Sequence, residues 1–119
     1  MAREFRHAID DMLEAIDGIQ SAVIGKTLSD YRKEWLLRHA VQRGIEIISE
    51  ASRAIPEDIK QLRPEVPWLS VRNIGNVLRH EYHGLSDPII WGVISDELPR
   101  LKEALEAIFA QVGSGDENA

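Results

Sequence analysis

Two stretches of this sequence place apolar residues alternately three and four positions apart, and this spacing is the strongest constraint on its fold. Side chains at that spacing share one face of an α-helix, whereas a half-buried strand alternates every second residue. No segment shows the alternation of a strand. The pattern predicts an all-α protein whose first and last long helices bury two stripes, one of Phe5, Ile9, Met12, Ile16, Ile19 and Val23, the other of Trp91, Ile94, Leu98, Leu101, Leu105, Ile108 and Val112.

A second helix is predicted after Gly25, which ends the first. It opens near Thr27 or Ser29, both of which are suitable N-caps, and it runs to Pro56. Its apolar stripe is wide enough to predict burial on more than one side. The stripe consists of Leu37, Val41, Gly44, Ile48, Ala51 and Ile55, widened by Leu36, Ala40, Ile45 and Ile47.

Residues 56–67 contain three prolines and are predicted to be a connector with one short helical turn. A third helix follows, with Pro67 in its first turn, where the missing N–H costs nothing. It is predicted to run to about His83, because Gly84 suits a C-terminal stop.

Ser86, Asp87 and Pro88 are predicted to open a fourth helix. Pro99 lies inside it, removes one backbone hydrogen bond and predicts a kink. The fold class is therefore an up-and-down bundle of four to five helices. The regular stripes of the first and last helices also permit helix pairing in a homodimer, although ordinary core packing is the simpler explanation for them.

The 119 residues amount to one domain. We assign residues 1–112 to the bundle and residues 113–119, GSGDENA, to a disordered acidic tail. The absence of cysteine excludes disulfides, and no apolar run is long enough to span a bilayer. With no secretory signal, a cytoplasmic location is expected. The formal net charge of −6 argues against a general nucleic-acid coat protein but leaves room for a local basic groove.

The third helix carries the candidate functional residues. At 100° per residue, six polar side chains share about a third of its circumference, while Val71, Ile74, Leu78 and Tyr82 lie on the opposite side. Such a face can be an ordinary solvated surface, but solvated faces are commonly built from Glu and Lys, and Asn and His are poorer helix formers. This band can bind phosphate oxygens and transfer protons. It consists of Arg72, Asn73, Asn76, Arg79, His80 and His83.

No metal or cofactor is predicted. The segment from His80 to His83 is not the HExxH zinc motif, because its histidines are three positions apart, although a two-histidine metal pair stays open. His7 and His39 are isolated in the sequence, and we interpret both as structural.

The ordered set of motifs resembles the HepT-like family of small all-helical bacterial and archaeal proteins, which are typically encoded beside a minimal nucleotidyltransferase, MntA. The resemblance covers nearly the whole chain. It rests on AVQR at residues 40–43, ISEA at 48–51, VPW at 66–68, LRHEY at 78–82, IW at 90–91 and DELPRL at 96–101.

The resemblance implies a function that the helical pattern does not name. HepT-like proteins are toxins of toxin–antitoxin pairs, and the toxin is a metal-independent ribonuclease that usually forms a dimer. The family motif is an arginine, four to six residues, a histidine, and a tyrosine two residues after it. Carried over, His80 is the general acid or base, and Tyr82 is the tyrosine to which the partner nucleotidyltransferase transfers AMP.

The sequence departs from this motif at Gly75, where the family's usual arginine is expected. Seven residues separate the nearest upstream arginine, Arg72, from His80. We hypothesise that Arg72 or Arg79 takes the phosphate-binding role, while Asn73 and Asn76 orient the RNA or the imidazole. The alternative is that the nuclease activity has been lost with the arginine, and that the chain is a non-catalytic binding partner or modified acceptor of a nucleotidyltransferase.

Overall fold

The computed structural model describes the backbone of residues 2–80 and 86–117 and the side chains of residues 5–80 and 86–112. Helices α1 (Ala2–Ala22), α2 (Leu28–Lys33), α3 (Trp35–Ser52) and α4 (Glu57–Lys60) are followed by α5 (Trp68–Arg79) and α6 (Asp87–Gly92). A π-helical turn, Val93–Glu97, leads into α7 (Leu98–Glu117). No strand occurs in these described parts, which confirms the all-α prediction.

The core lies where α1 packs against α3 and α7. Both predicted stripes supply it, and Ile9, Met12 and Leu105 are completely buried. Gly44 allows α1 and α3 to approach closely, because a Cβ there would lie 2.7 Å from Cδ1 of Ile19. Helix α5 packs on α3, so that α3 joins the core to the helix that carries the candidate residues.

The predicted second helix is two helices. Thr27 caps α2 in a capping box with Asp30, which confirms its predicted start. The backbone is extended at Glu34 (φ −89°, ψ 105°), so the prediction of one continuous helix is wrong. On a continuous helix Tyr31 would lie about 100° from the stripe that includes Leu37 and Val41. The break allows all three to be buried.

The widened stripe of α3 is only partly buried. Ile45 is buried, but Leu36 and Ala40 are exposed, which corrects the prediction for those two residues. The connector prediction is confirmed, since α4 is a single short turn between Pro56 and the start of α5.

Helix α5 is shorter than expected. Pro67 is its N-cap and His80 its C-cap, with a backbone (φ −107°, ψ 22°) that leaves the helical region. The expected end near His83 is therefore wrong. His83, Tyr82 and the expected stop at Gly84 lie outside the described residues.

The predicted fourth helix opens at Asp87 as expected, with Pro88 in its first turn. A π-helical turn that ends at Glu97 lies just before Pro99, where the sequence predicts a kink. The N–H of Leu98, the first residue of α7, donates to the carbonyl oxygen of Val93. Helix α7 continues beyond residue 112, so the domain boundary expected there does not coincide with a helix end. No described helix is long and apolar enough to cross a membrane.

Candidate functional site

Helix α5 is held in place at its start and near its middle. At the start, Nε1–H of Trp68 donates to the carbonyl oxygens of Lys60 (3.1 Å) and Arg63 (3.0 Å). Further along, the buried Ser49 of α3 donates its hydroxyl to the carbonyl oxygen of Arg72 at 2.5 Å. The N–H of Gly75 lies 3.3 Å from the same hydroxyl oxygen and donates to it. These contacts fix which side of α5 faces α3.

The two predicted faces of α5 are confirmed over its described length. Val71, Ile74 and Leu78 are partly buried and pack against the core. The five described members of the polar band are all exposed, namely Arg72, Asn73, Asn76, Arg79 and His80. The side chain of Arg79 donates a hydrogen bond to Oδ1 of Asn76, which joins two of them. The structure therefore brings these five side chains onto one exposed side of the bundle.

A small cleft lies between this band and α3. It has a volume of about 280 Å³ and is lined by Gly75 and Arg79 of α5, by Glu46, Ser49 and Glu50 of α3, and by Arg53, which follows α3. Nη1 of Arg79 lies 3.7 Å from the position that a Cβ on Gly75 would take. Arg72 does not line the cleft. Of the two candidate arginines, Arg79 therefore occupies the space beside Gly75.

The charges of the cleft are mixed. Glu46 and Glu50 bring two carboxylates and Arg53 and Arg79 two guanidinium groups, so the cleft itself is not a cationic pocket. A phosphate group would be favoured on the exposed side of α5, where Arg79 is followed directly by His80 and no acidic side chain lies between residues 68 and 80.

A larger cavity lies on the other side of α5 and is not part of this site. It measures about 680 Å³ and is lined mainly by apolar residues of α3, α5 and α7, such as Ile45, Ile74 and Leu101. Among the described residues, no three His, Asp or Glu side chains cluster as a metal site. The described side chains of the polar band are those of arginine, asparagine and histidine.

Sequence reasoning missed the buried Asp87, which it treated only as part of a helix cap. Asp87 is 2% exposed, and its Oδ2 accepts hydrogen bonds from Nε of Arg32 (3.3 Å) and Nη1 of Arg38 (3.0 Å). Its Oδ1 lies 2.9 Å from Nη2 of Arg38. The cluster ties α6 to α2 and α3 shortly after the segment that contains His80. No spacing could have shown it, because the partners are 49 and 55 positions apart.

The described part of the chain is thus an all-α bundle that displays arginine, asparagine and histidine along one exposed helix face. Residues 12–108 match the family described as "Ribonuclease HepT-like". The chain therefore belongs to the HepT-like ribonuclease family, which confirms the resemblance seen in its motifs.

The names of its relatives agree with this membership. A protein of Thermococcus cleftensis named "Probable ribonuclease HepT" is 32% identical over 91% of this chain and 98% of its own length. A protein of Methanocaldococcus jannaschii named "Putative RNase" is 28% identical over 89% of this chain and 97% of its own length. Another "Putative RNase", of Caldanaerobacter subterraneus, is 30% identical over 87% of this chain and 92% of its own length. No solved structure matched the chain.

Proposed function

We propose that this protein is a metal-independent endoribonuclease, the toxin of a toxin–antitoxin pair in the cytoplasm. Membership of the HepT-like ribonuclease family gives the reaction class. The observation that carries the proposal for this chain is the exposed pair of Arg79 and His80 at the end of α5, beside Gly75. The pair supplies a titratable ring at the histidine of the family motif, and it supplies a guanidinium group 3.7 Å from where a Cβ on Gly75, the position of the missing arginine, would lie.

The proposed roles follow from the chemistry of these side chains. The ribose 2′-oxygen attacks the neighbouring phosphorus, and the bond from phosphorus to the 5′-oxygen breaks. Arg79 binds the phosphate and offsets the charge that builds on it. His80 takes the proton of the 2′-OH or gives one to the leaving 5′-oxygen, tasks suited to an imidazole near neutral pH. Asn73, Asn76 and His83 contact the RNA, and Arg72 adds a second cation.

Regulation by a partner is part of the proposal. A cognate MntA-type nucleotidyltransferase would transfer AMP to Tyr82, two positions after His80, and the added phosphate would repel RNA. The burial of the chain's other tyrosine supports this choice, because Tyr31 is fully enclosed in the core and cannot reach another protein's active site. A homodimer would place two polar bands together and raise the local positive charge.

Matched histidine and arginine variants test the nuclease. We expect induction of the wild-type chain to arrest bacterial growth and the purified protein to cleave RNA in EDTA. His80→Ala and Arg79→Ala should lose both effects. His7→Ala and Arg100→Ala are the controls, because both side chains are exposed on other helices. Equal cleavage by wild type and Arg79→Ala, with loss only in Arg72→Ala, would assign the phosphate to Arg72 instead.

A second function is favoured by one observation. Where the family has an arginine, this chain has the buried Gly75, which lines the cleft together with Glu46 and Glu50. In this case the chain is a non-catalytic partner or modified acceptor of the nucleotidyltransferase. It predicts no growth arrest and no RNA cleavage by folded wild-type protein, together with AMP on Tyr82 after co-expression with the enzyme. Mass spectrometry of wild type and Tyr82→Phe measures the modification.

A further inference from the structure

One aromatic residue contributes nothing to the core. Trp35, the first residue of α3, is 68% exposed. Its ring stacks on the ring of His39, one turn further along, with centroids 4.1 Å apart and an angle of 27° between the planes. Nδ1 of His39 lies 2.8 Å from the carbonyl oxygen of Trp35. A carbonyl oxygen only accepts, so Nδ1–H donates and fixes the orientation of the imidazole. His39, interpreted from the sequence as structural, therefore supports an exposed indole.

The surroundings of this ring pair are basic in an acidic chain. Residues 32–43 contain four basic side chains and one acidic side chain, whereas the whole protein has a net charge of −6. The acidic one, Glu34, is already paired with Lys26 at 3.0 Å. Arg32 shares the buried Asp87 with Arg38 and still has a side chain that is 49% exposed, and Arg43 is exposed.

The ring pair lies on the same side of α3 as the cleft beside Arg79. At 100° per residue, Trp35, His39 and Glu46 fall within an arc of about 40°. Glu46 lines the cleft together with Arg79. At 1.5 Å per residue, His39 is about 10 Å and Trp35 about 16 Å from Glu46 along the helix axis. One single-stranded segment can reach both places.

We propose that Trp35, held against His39, is a stacking platform for one unpaired base of an RNA strand whose phosphate lies at Arg79. This inference rests on the proposed ribonuclease function and names its substrate as single-stranded RNA. Bases stack on exposed aromatic rings regardless of their identity, and nearby cations hold the backbone. The indole has one face on His39, and its high exposure leaves room for a base on the other face.

The charge pattern favours RNA over a second copy of the chain on this surface. In a two-fold symmetric contact the same patch meets itself. Contact here would bring two copies of the basic segment around Arg32, Lys33 and Arg43 together, and like charges oppose such a contact. The exposed Leu36 beside Trp35 would otherwise suit a protein partner.

Binding of an RNA that cannot be cleaved tests the platform without the chemistry. The probe is a fluorescein-labelled 2′-O-methyl oligouridine, which lacks the attacking hydroxyl, and fluorescence anisotropy measures Kd. We expect Trp35→Leu to raise Kd about five- to a hundredfold, the contribution of stacking one base. Trp35→Phe should lose less, because a smaller ring remains. Leu36→Ala, the matched control with similar exposure, should bind as the wild type does.

The outcomes separate this inference from the proposed function. His80→Ala should abolish cleavage and keep Kd for the probe, whereas Trp35→Leu should raise KM for cleavable RNA and leave kcat unchanged. Wild-type protein that binds the probe through Trp35 but cleaves nothing would refute the nuclease and keep the platform. An unchanged Kd for Trp35→Leu would overturn the platform. If Trp35→Leu keeps the wild-type Kd but changes the oligomeric state in sedimentation, Trp35 belongs to a protein interface and the platform is likewise overturned.

Discussion

The contact between Gly75 and Ser49 predicts that the effect of a methyl group at position 75 depends on the residue at position 49. A Cβ on Gly75 would lie 3.0 Å from Oγ and 3.4 Å from Cβ of Ser49. The Ser49 hydroxyl cannot turn away freely, because it donates to the carbonyl oxygen of Arg72. Gly75→Ala therefore gains helix propensity, but it loses this hydrogen bond and also strains the Ser49 rotamer.

One favourable and two unfavourable contributions, each of about 1 kcal/mol, make up the effect. Alanine in a helix interior is more favourable than glycine by about 1 kcal/mol. Losing a neutral hydrogen bond costs about 1 kcal/mol, and moving a side chain off its rotamer costs about 1 kcal/mol more. We expect Gly75→Ala to lower the free energy of unfolding by about 1 kcal/mol in the wild type. In a Ser49→Ala background only the 3.4 Å contact remains, and the same substitution should raise it by about 1 kcal/mol.

Urea denaturation of the four proteins in this double-mutant cycle measures the difference. The expected coupling between positions 49 and 75 is about 2 kcal/mol, well above the scatter for independent sites. In thermal melts each kcal/mol corresponds to about 4 °C. If Gly75→Ala stabilises both backgrounds equally, Ser49 moves without cost and our account of the contact is wrong.

Two further predictions concern charged residues. Asp87→Asn should lower the free energy of unfolding by about 3 kcal/mol, because it leaves Arg32 and Arg38 without their shared carboxylate. Asp96→Asn, at an exposed position, is the control, and equal urea midpoints for both variants would contradict the role of the cluster. The backbone N–H of Thr27 donates a hydrogen bond to the Asp30 carboxylate, and this bond holds the pKa of Asp30 below the ordinary value of 3.8. The stability that this bond adds is present at neutral pH and is lost as pH falls through that lowered pKa. Asp30→Asn should therefore make the free energy of unfolding fall less steeply at acid pH. An acid pH dependence equal to that of the wild type would contradict this.

The sequence was sufficient for the helices whose burial repeats over many turns. The stripe of α1 and the stripe of α7 each recur over several turns, so a local pattern predicts both their type and their buried face. The break at Glu34 has no such signal, because neither glycine nor proline occurs there and the extended backbone serves the burial of Tyr31, a long-range contact.

The candidate site was predicted in part for the same reason. Periodicity placed Arg72, Asn73, Asn76 and Arg79 on one side of α5, since neighbouring turns settle that arrangement. It could not show which of the two arginines lies beside Gly75. The position of Arg79 beside Gly75 follows from how α5 packs on α3, where Ser49 contacts both Arg72 and Gly75. Contacts between distant parts of the chain leave no spacing in a single sequence.

The π-helical turn Val93–Glu97 holds one residue more than an α-helical turn would, which affects how the chain tolerates changes in length. Helix α6 contacts α2, whereas α7 contacts α1, so the helices before and after the turn pack against different partners. Removing one residue from an α-helical stretch rotates everything after it by about 100°. The π-helical turn is the exception, because deleting one residue within it can restore α-helical hydrogen bonding and keep the buried stripe of α7 against α1. The same deletion within α7 would turn that stripe away from α1. The turn is therefore the place in this part of the chain where the loss of one residue disturbs the packing least.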